Sequence, residues 1–303
     1  MAAKSRAPAL ALVAPSGALP EGLADRAAHF FAQRGWQVQA GESCFARDTR
    51  FAGPDELRLH DLQRFATDRR VDLVLSARGG YGLSRLLDRL DFAAIRRAER
   101  IIVGLSDFTA FNLAYLARAG GISFQGPSAA DFARPQPDPF TVEQFFATLG
   151  SREHQVAYDG EGPDCEVKGI LWGGNLALVT ALIGTPFFPR VRGGILFIED
   201  VNEPAYRIER MLYQLLHAGV LARLRAILLG EFSPVPAQAN DNGFDLPGVV
   251  AQLRSRIDIP LLTGLPFGHV PRKLTLPVGA RARVRARSGR IELTFSGHPA
   301  LTP

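Results

Sequence analysis

The stretch IIVGLSDFTAF at 101–111 reads as a strand, a tight turn and the start of a helix. Ile101, Ile102 and Val103 form an apolar run, Gly104 tightens the chain, and Ser106 is presented on the turn. Asp107 and Thr109 follow, and a helical run covers 111–119. This layout lifts a serine hydroxyl clear of a sheet and aims the free N–H groups of a helix N-terminus at it. An ordinary strand-to-helix loop, in which Ser106 or Asp107 only caps the helix, has the same pattern. The rest of the chain has to separate the two.

Toward the N-terminus, 9–14 reads as a buried strand ending in a Pro15-Ser16-Gly17 turn. A helix is expected over 19–34, with Leu23, Ala27, Phe30 and Phe31 at helical spacing and Gly35 as its C-cap. A second strand covers 36–40, a turn 51–53, and a helix 55–68, with Leu59, Leu62, Phe65 and Ala66 on one face. The strand VDLVLS at 71–76 runs straight into Arg78-Gly79-Gly80-Tyr81-Gly82, and 83–90 looks helical. Strands alternating with helices over roughly 120 residues argue for a parallel, doubly wound sheet. Ligands on such sheets sit at the carboxyl ends of the strands, where both 78–82 and 104–109 fall.

Toward the C-terminus, Pro135, Pro137 and Pro139 mark a connection, followed by a helix over 141–149. Beyond the glycine- and acid-rich 159–164, a second unit opens with 168–181, which contains Trp172-Gly173-Gly174-Asn175-Leu176. GILFIE at 194–199 is a strand ending in Glu199 and Asp200. An amphipathic helix covers 206–221 and a short strand 226–229. The apolar run 259–265 leads into Pro266-Phe267-Gly268-His269. The alternation over 280–295 about Ser288-Gly289 predicts a β-hairpin whose Arg281, Arg283, Arg285 and Arg287 share a solvated face. The expected fold is therefore α/β: an N-terminal doubly wound parallel-sheet domain over 1–150, and a C-terminal mixed α/β domain with antiparallel β-hairpins over 151–303.

The 303 residues are comfortable for two domains, and the 47% hydrophobic and 21% charged fractions are those of an ordinary globular protein. The net charge of +5 is spread along the chain without a dense basic run, which argues against nucleic acid. Cys44 and Cys165 lie far apart and match no metal or redox spacing, which suits a reducing compartment. The apolar run after Lys4 and Arg6 has the look of a secretory signal, but Pro8 and Pro15 bracket it and it reads equally as the first strand. The expectation is cytoplasmic, and no stretch approaches the ~20 apolar residues of a membrane span.

A nucleophilic serine needs a base, and the base needs an orienting acid. The glycines of 79–82 have the wrong spacing for a phosphate loop or a dinucleotide fingerprint. They let the backbone turn tightly and expose N–H groups, as in one half of an oxyanion hole, with the N–H of Asp107 as the other donor. A plain turn has the same composition. Of the six histidines, His29, His60 and His217 sit in helical stretches, His154 in a polar strand or linker and His298 in a terminal turn. His269 alone follows an apolar run on a loop constrained by Gly268 and Pro271. Glu199 closes a fully apolar strand; Asp200 beside it can cap the next element, and Glu203 lies in a solvated Asn-Glu-Pro turn. Sequence order by itself does not bring Ser106, Glu199 and His269 together.

Six segments then carry a resemblance: APSG (14–17), RGGYG (78–82), GLSDFTA (104–110), GGNL (173–176), FIEDVNEPAYRIERML (197–212) and GH (268–269). Together they resemble the LD-carboxypeptidase family of serine peptidases, which includes the microcin C self-immunity peptidases. The likeness runs from about residue 10 to about residue 295. It implies a Ser-Glu-His triad, with the serine in the N-terminal domain and the other two in the C-terminal one: Ser106, Glu199 and His269. It also implies oxyanion donors at the N–H groups of Gly80 and Asp107, and substrate or supporting contacts from Arg78 and Asn175. Arg78 is the candidate grip on a terminal carboxylate. One departure from the α/β-hydrolase elbow stands out: Phe108 occupies the place of the second glycine of G-x-S-x-G, so that fold is not inferred.

The resemblance implies release of a C-terminal D-alanine from a peptidoglycan tetrapeptide in cell-wall recycling, without metal or cofactor, by a homodimer. Its partner is a small muropeptide rather than nucleic acid or membrane. Two alternatives stand beside it: a self-immunity peptidase cleaving aminoacyl-nucleotide adducts, for which Trp172 is a possible base stacker, and a non-catalytic muropeptide-binding protein.

Overall fold

Buried aliphatic strands build the first sheet. A computed structural model describes residues 6–301, apart from 234 and 237–239. In it, β1 (Ala9–Val13), β3 (Leu73–Ser76), β4 (Ile101–Gly104) and β5 (Ser123–Gln125) are buried along their whole length, and β2 (Gln37–Ala40) forms a half-exposed edge. All five run parallel in the order β2-β1-β3-β4-β5. Burial on both faces is what a parallel sheet between helices requires. The order reverses between β1 and β3, the kind of switch point at which ligands of such sheets bind, and the loops that follow those two strands meet there, Gly17 N donating to Gly79 O at 3.3 Å.

The second sheet contains β6 (Glu153–Asp159), β7 (Cys165–Asn175), β8 (Gly194–Asp200), β9 (Leu224–Phe232) and β10 (Leu261–Leu262). Beyond β11 (Leu276–Val278), it is completed by β12 (Arg281–Arg287) and β13 (Arg290–Ser296). The order is β10-β9-β8-β7-β12-β13-β6, parallel from β10 to β7 and antiparallel from β7 to β6. The hairpin about Ser288-Gly289 is present, both residues having positive φ (48° and 80°), and its arginines alternate with the buried Ala282, Val284 and Ala286. β11 crosses back and pairs antiparallel with β5 at the edge of the first sheet, the position at which its Pro277 can be accommodated. One apolar cluster continues from Val13, Ile102 and Phe111 through Leu176 and Phe197 to Val284 and Phe295, so both sheets share a core.

Three elements differ from the sequence reading. The first helix is Leu23–Ala32, because Pro20 and Gly22 (φ 66°) hold the preceding residues in a turn. The stretch 83–90 forms two short 3₁₀ turns, Leu83–Arg85 and Leu87–Arg89, the first entered from Gly82 at φ 143°, with the Leu83 N–H donating to the Asp107 carboxylate. The amphipathic helix is Ala205–His217, with Ile208, Leu212 and Leu215 buried, and 3₁₀ geometry takes over at Leu221–Arg223.

Candidate active site

Ser106 stands at the carboxyl end of β4 with φ 66°, a left-handed conformation that a non-glycine residue adopts only where its surroundings impose it. It opens a 3₁₀ turn, Ser106–Phe108, that passes directly into the helix Thr109–Ala119. Neither Ser106 nor Asp107 caps that helix. Instead the Asp107 carboxylate turns back, accepting from Ser16 Oγ at 2.6 Å and from Leu83 N at 2.9 Å, and so ties the loops after β1, β3 and β4 together. Burial pushes this carboxyl above its usual range, opposed by those two hydrogen bonds. The missing elbow glycine is explained by Gly104, whose bare Cα lies beneath the Phe108 ring. The close approach is made before the serine rather than after it.

Gly79 lies across Ser106. A Cβ built on it would stand 2.5 Å from Ser106 Cβ, 2.7 Å from its Oγ and 3.5 Å from Asp107 N, so only hydrogen leaves room above the hydroxyl. Gly80, at φ 113°, packs on Gly17. Among the described residues the N–H groups of Gly80 and Asp107 donate to no protein acceptor, which leaves both available to an incoming oxyanion. Arg78 donates to the carbonyl of Ala18 at 2.9 Å and pairs with no carboxylate among the described residues. Arg58 is wholly buried and donates to the carbonyls of Pro15, Gly53 and Gly82, bracing the loops from beneath.

His269 Nδ1 lies 2.7 Å from Glu199 Oε2. Glu199 is 0% exposed at the end of β8 and accepts from Asn175 Nδ2 at 3.3 Å on its other oxygen. Asn175 Nδ2 also donates to Asp200 Oδ1 at 2.7 Å, while its Oδ1 caps the helix Leu176–Ala181 at Leu178 N. One amide thus separates two adjacent buried carboxylates. Asp200 caps the helix behind it, through Ala177 N at 2.9 Å, rather than the one that follows it. Burial, with Glu199 alongside, holds the Asp200 carboxyl above its usual range. With Nδ1–H donated to Glu199, the other ring nitrogen of His269 is left as an acceptor.

The two halves meet through Thr109, three residues after Ser106. Its Oγ1 accepts from Asn175 N at 3.0 Å and from Gln125 Nε2 at 2.7 Å. This contact explains GGNL: a Cβ on Gly174 would fall 2.6 Å from Thr109 Oγ1. An unbroken path therefore runs from the Ser106 turn through Thr109, Asn175 and Glu199 to His269. Within it the Ser106 hydroxyl itself has no hydrogen-bond partner among the described residues, and no hydrogen bond joins it to His269. The sequence reading had Gly79 in its glycine loop and Ser16 and Thr109 inside its motifs, without the roles they take here; Gln125 it did not name, and its Nε2 contact to Thr109 has no local signal.

The other candidates lie elsewhere. Glu203 pairs with Arg207 at 2.8 Å. His154 meets Gln144, and His298 is buried between the rings of Phe124 and Phe295. Trp172 is 1% exposed and edge-on to Phe188. Burial pushes the Cys44 thiol up to about 12 and raises Cys165 as well, so neither offers a thiolate near neutrality. Among the described residues no group of three or more His, Cys, Asp or Glu gathers as metal ligands.

Comparison with known proteins agrees with this architecture. Residues 10–126 match the LD-carboxypeptidase N-terminal domain and residues 168–284 the LD-carboxypeptidase C-terminal domain. The crystal structure of muramoyltetrapeptide carboxypeptidase from Oxalobacter formigenes is 41% identical with a TM-score of 0.92, covering 96% of this chain and 100% of that one. The murein tetrapeptide carboxypeptidase of Pseudomonas aeruginosa is 31% identical over 284 residues, 90% of this chain and 92% of its own. An MccF-like protein from Bacillus anthracis shares the fold, with a TM-score of 0.87 at 22% identity over 97% of this chain and 98% of its own. With both domains matched in order around the Ser106 turn and the Glu199–His269 pair, the chain belongs to the LD-carboxypeptidase family.

Proposed function

We propose that the chain is a serine carboxypeptidase that hydrolyses the amide bond between an L-centre and a C-terminal D-amino acid, releasing D-alanine from peptidoglycan tetrapeptides. The observation that carries this reading is the 2.7 Å contact between His269 Nδ1 and the wholly buried Glu199, which orients a partly exposed imidazole. Ser106 Oγ attacks the scissile carbonyl, and His269 takes its proton through the free ring nitrogen and returns it to the leaving amine. Glu199 holds the ring and stabilises the imidazolium. The N–H groups of Gly80 and Asp107 receive the developing oxyanion, a contribution of a few kcal/mol per donor, about what removing such a donor costs elsewhere. Arg78, paired with no carboxylate among the described residues, grips the terminal carboxylate of the substrate.

The Ser106–His269 hydrogen bond forms when substrate fills the crevice; in ligand-free hydrolases this bond is commonly long or absent. A non-catalytic muropeptide-binding protein shares that open step, and turnover separates the two. Mass spectrometry after incubation with a muramyl tetrapeptide is expected to find the tripeptide and free D-alanine, with kcat lowered about 10⁴-fold or more in Ser106→Ala. An unchanged tetrapeptide, or a Ser106→Ala variant of near wild-type rate, contradicts the proposal. No observation favours nucleotide adducts, since the stacking side chain that reading needs, Trp172, belongs to the core.

We place the reaction in the cytoplasm. In support, the apolar run at the N-terminus is β1, hydrogen-bonded to β2 on one edge and β3 on the other. No helix among the described residues is long and apolar enough to cross a membrane. The homodimer is carried over from the family resemblance, and light scattering reads it directly.

A further inference from the structure

His269 lies on the segment between β10 and β11, and its partner Glu199 belongs to the second sheet, whereas Ser106 belongs to the first. Something has to fix the imidazole relative to both. On the upstream side, Gly268 packs at φ 146° against Glu231 and Glu199 Cβ, which locks the loop to the second sheet. On the downstream side, the loop leaves that sheet and fastens to the first. Thr141 Oγ1, from the helix Pro139–Leu149, donates to Pro271 O at 2.7 Å and accepts from Lys273 N at 2.8 Å. Lys273 Nζ, four residues from His269, donates to Asp131 Oδ1 at 2.7 Å, and both side chains are buried.

Asp131 is itself tightly held. Its Oδ2 accepts from Ser128 N at 2.9 Å and Ser128 Oγ at 3.3 Å, closing a capping box on the short helix Ala129–Phe132. The next N–H along that helix, Ala130, donates to Ala77 O at 3.0 Å. Ala77 directly precedes Arg78-Gly79-Gly80, so the chain of bonds runs from the His269 loop to the loop that covers Ser106.

We propose that the buried Lys273–Asp131 ion pair, braced by Thr141, sets His269 against Ser106; both are positioning residues, and the inference rests on the reaction proposed above. A buried ion pair is weak as a source of stability, because desolvation offsets most of its attraction, but it is strict about direction. Here it joins residues 142 apart in sequence on the segment that carries the base, where a small slip moves it relative to the nucleophile. A misplacement of about 1 Å costs on the order of 10²-fold in rate.

The test is the Asp131→Asn/Lys273→Met double variant. Both charges are removed together because Arg134, 3.9 Å from Asp131 Oδ1, would take over as counter-ion for a lone Asp131. On a muramyl tetrapeptide, kcat is expected to fall about 100-fold with KM within about threefold, while the melting temperature stays within a few degrees of wild type. The downfield proton resonance of His269 Nδ1–H, identified by its loss in Glu199→Gln, is expected to shift or vanish. Wild-type kcat together with an unmoved resonance overturns the proposal. If the double variant does not fold, Thr141→Val decides: a fall of about tenfold in kcat at constant KM supports positioning, and wild-type kcat overturns it. If the wild type does not cleave the tetrapeptide, the reading of the reaction fails, yet the resonance still reports whether the pair holds the histidine.

Discussion

Ser106 is held in a left-handed conformation that costs a non-glycine residue on the order of 1–3 kcal/mol, and its hydroxyl makes no hydrogen bond among the described residues. Both features make sense if the alcohol is kept for a substrate. Gly79 tests that idea more sharply than the serine does. Its φ is not in the left-handed region, so Gly79→Ala brings a clash but no backbone strain, and the clash falls on Ser106 itself. The expected outcome is a loss of about 100-fold or more in kcat/KM together with a lowered melting temperature, since a Cβ 2.5 Å from Ser106 Cβ forces the backbone to shift. Equal activity would mean that the space above the hydroxyl is not where the carbonyl sits. Asp107 carries a second prediction. Its carboxyl is raised by burial, so the stability it contributes is fully present below the unfolded-state value near 4 and is lost as pH rises through the higher folded-state value. Asp107→Asn cannot titrate. The difference in melting temperature, variant minus wild type, should therefore grow from pH 4 to pH 7; a difference that stays flat would contradict the direction of the shift.

At the scale of elements, Ser106 follows β4 directly and Glu199 closes the apolar run of β8, and the chain spends its special backbone positions on bringing those two ends together. β8 is apolar up to Glu199 because it is buried throughout, and its acids are tolerated only through Asn175, His269 and the capped helix. Much of this was legible in the sequence. The apolar runs stopping at Gly104, at Ser76 and at Glu199 marked the ends of β4, β3 and the apolar part of β8, since period and punctuation are local signals. The helix boundary at Leu23 and the 3₁₀ turns at Leu83–Arg89 were not, because an apolar period marks a helical face without marking where it starts or which helix it is. β11 was missed for a similar reason: Leu276-Pro277-Val278 has no strand signature apart from the edge it completes. The GGNL motif was visible but its purpose was not. Gly174 has φ 139° and lets β7 touch Thr109 and Gln125, so Gly174→Ala brings strain and collision at once. It is expected to lower the melting temperature by several degrees and kcat at least tenfold, measured by thermal melt and tetrapeptide turnover. A variant that loses stability but keeps kcat would separate this contact from the site.

For the molecule as a whole, the question is whether two sheets mean two independently stable bodies. The residues that join the halves are far apart in sequence: Lys273 to Asp131, Thr141 to Pro271, and β11 to β5. No local pattern announces such pairs, which is why Ser106, Glu199 and His269 could be named from motifs while the framework that aligns them could not. That framework makes the halves interdependent. Without β11 the first sheet ends at β5 with an unpaired edge, and Leu276 and Val278, both fully buried, leave the shared core. A fragment of residues 1–150 would keep Val13, Ile102 and Phe111 but lose Leu176, Phe197 and Val284, which continue the same cluster. The fragment would keep a second cluster of its own, around Leu12, Phe31, Leu75, Val103, Phe124 and Phe145, but the face of its sheet that carries the shared cluster would be stripped. Calorimetry of the full chain is accordingly expected to give one cooperative transition, with the calorimetric and van't Hoff enthalpies in agreement. The 1–150 fragment expressed alone is expected to lack a cooperative melt. Two resolved transitions in the full chain, or a sharply melting fragment, would mean that each half carries a sufficient core of its own. The contacts between them would then govern alignment of the site without governing stability.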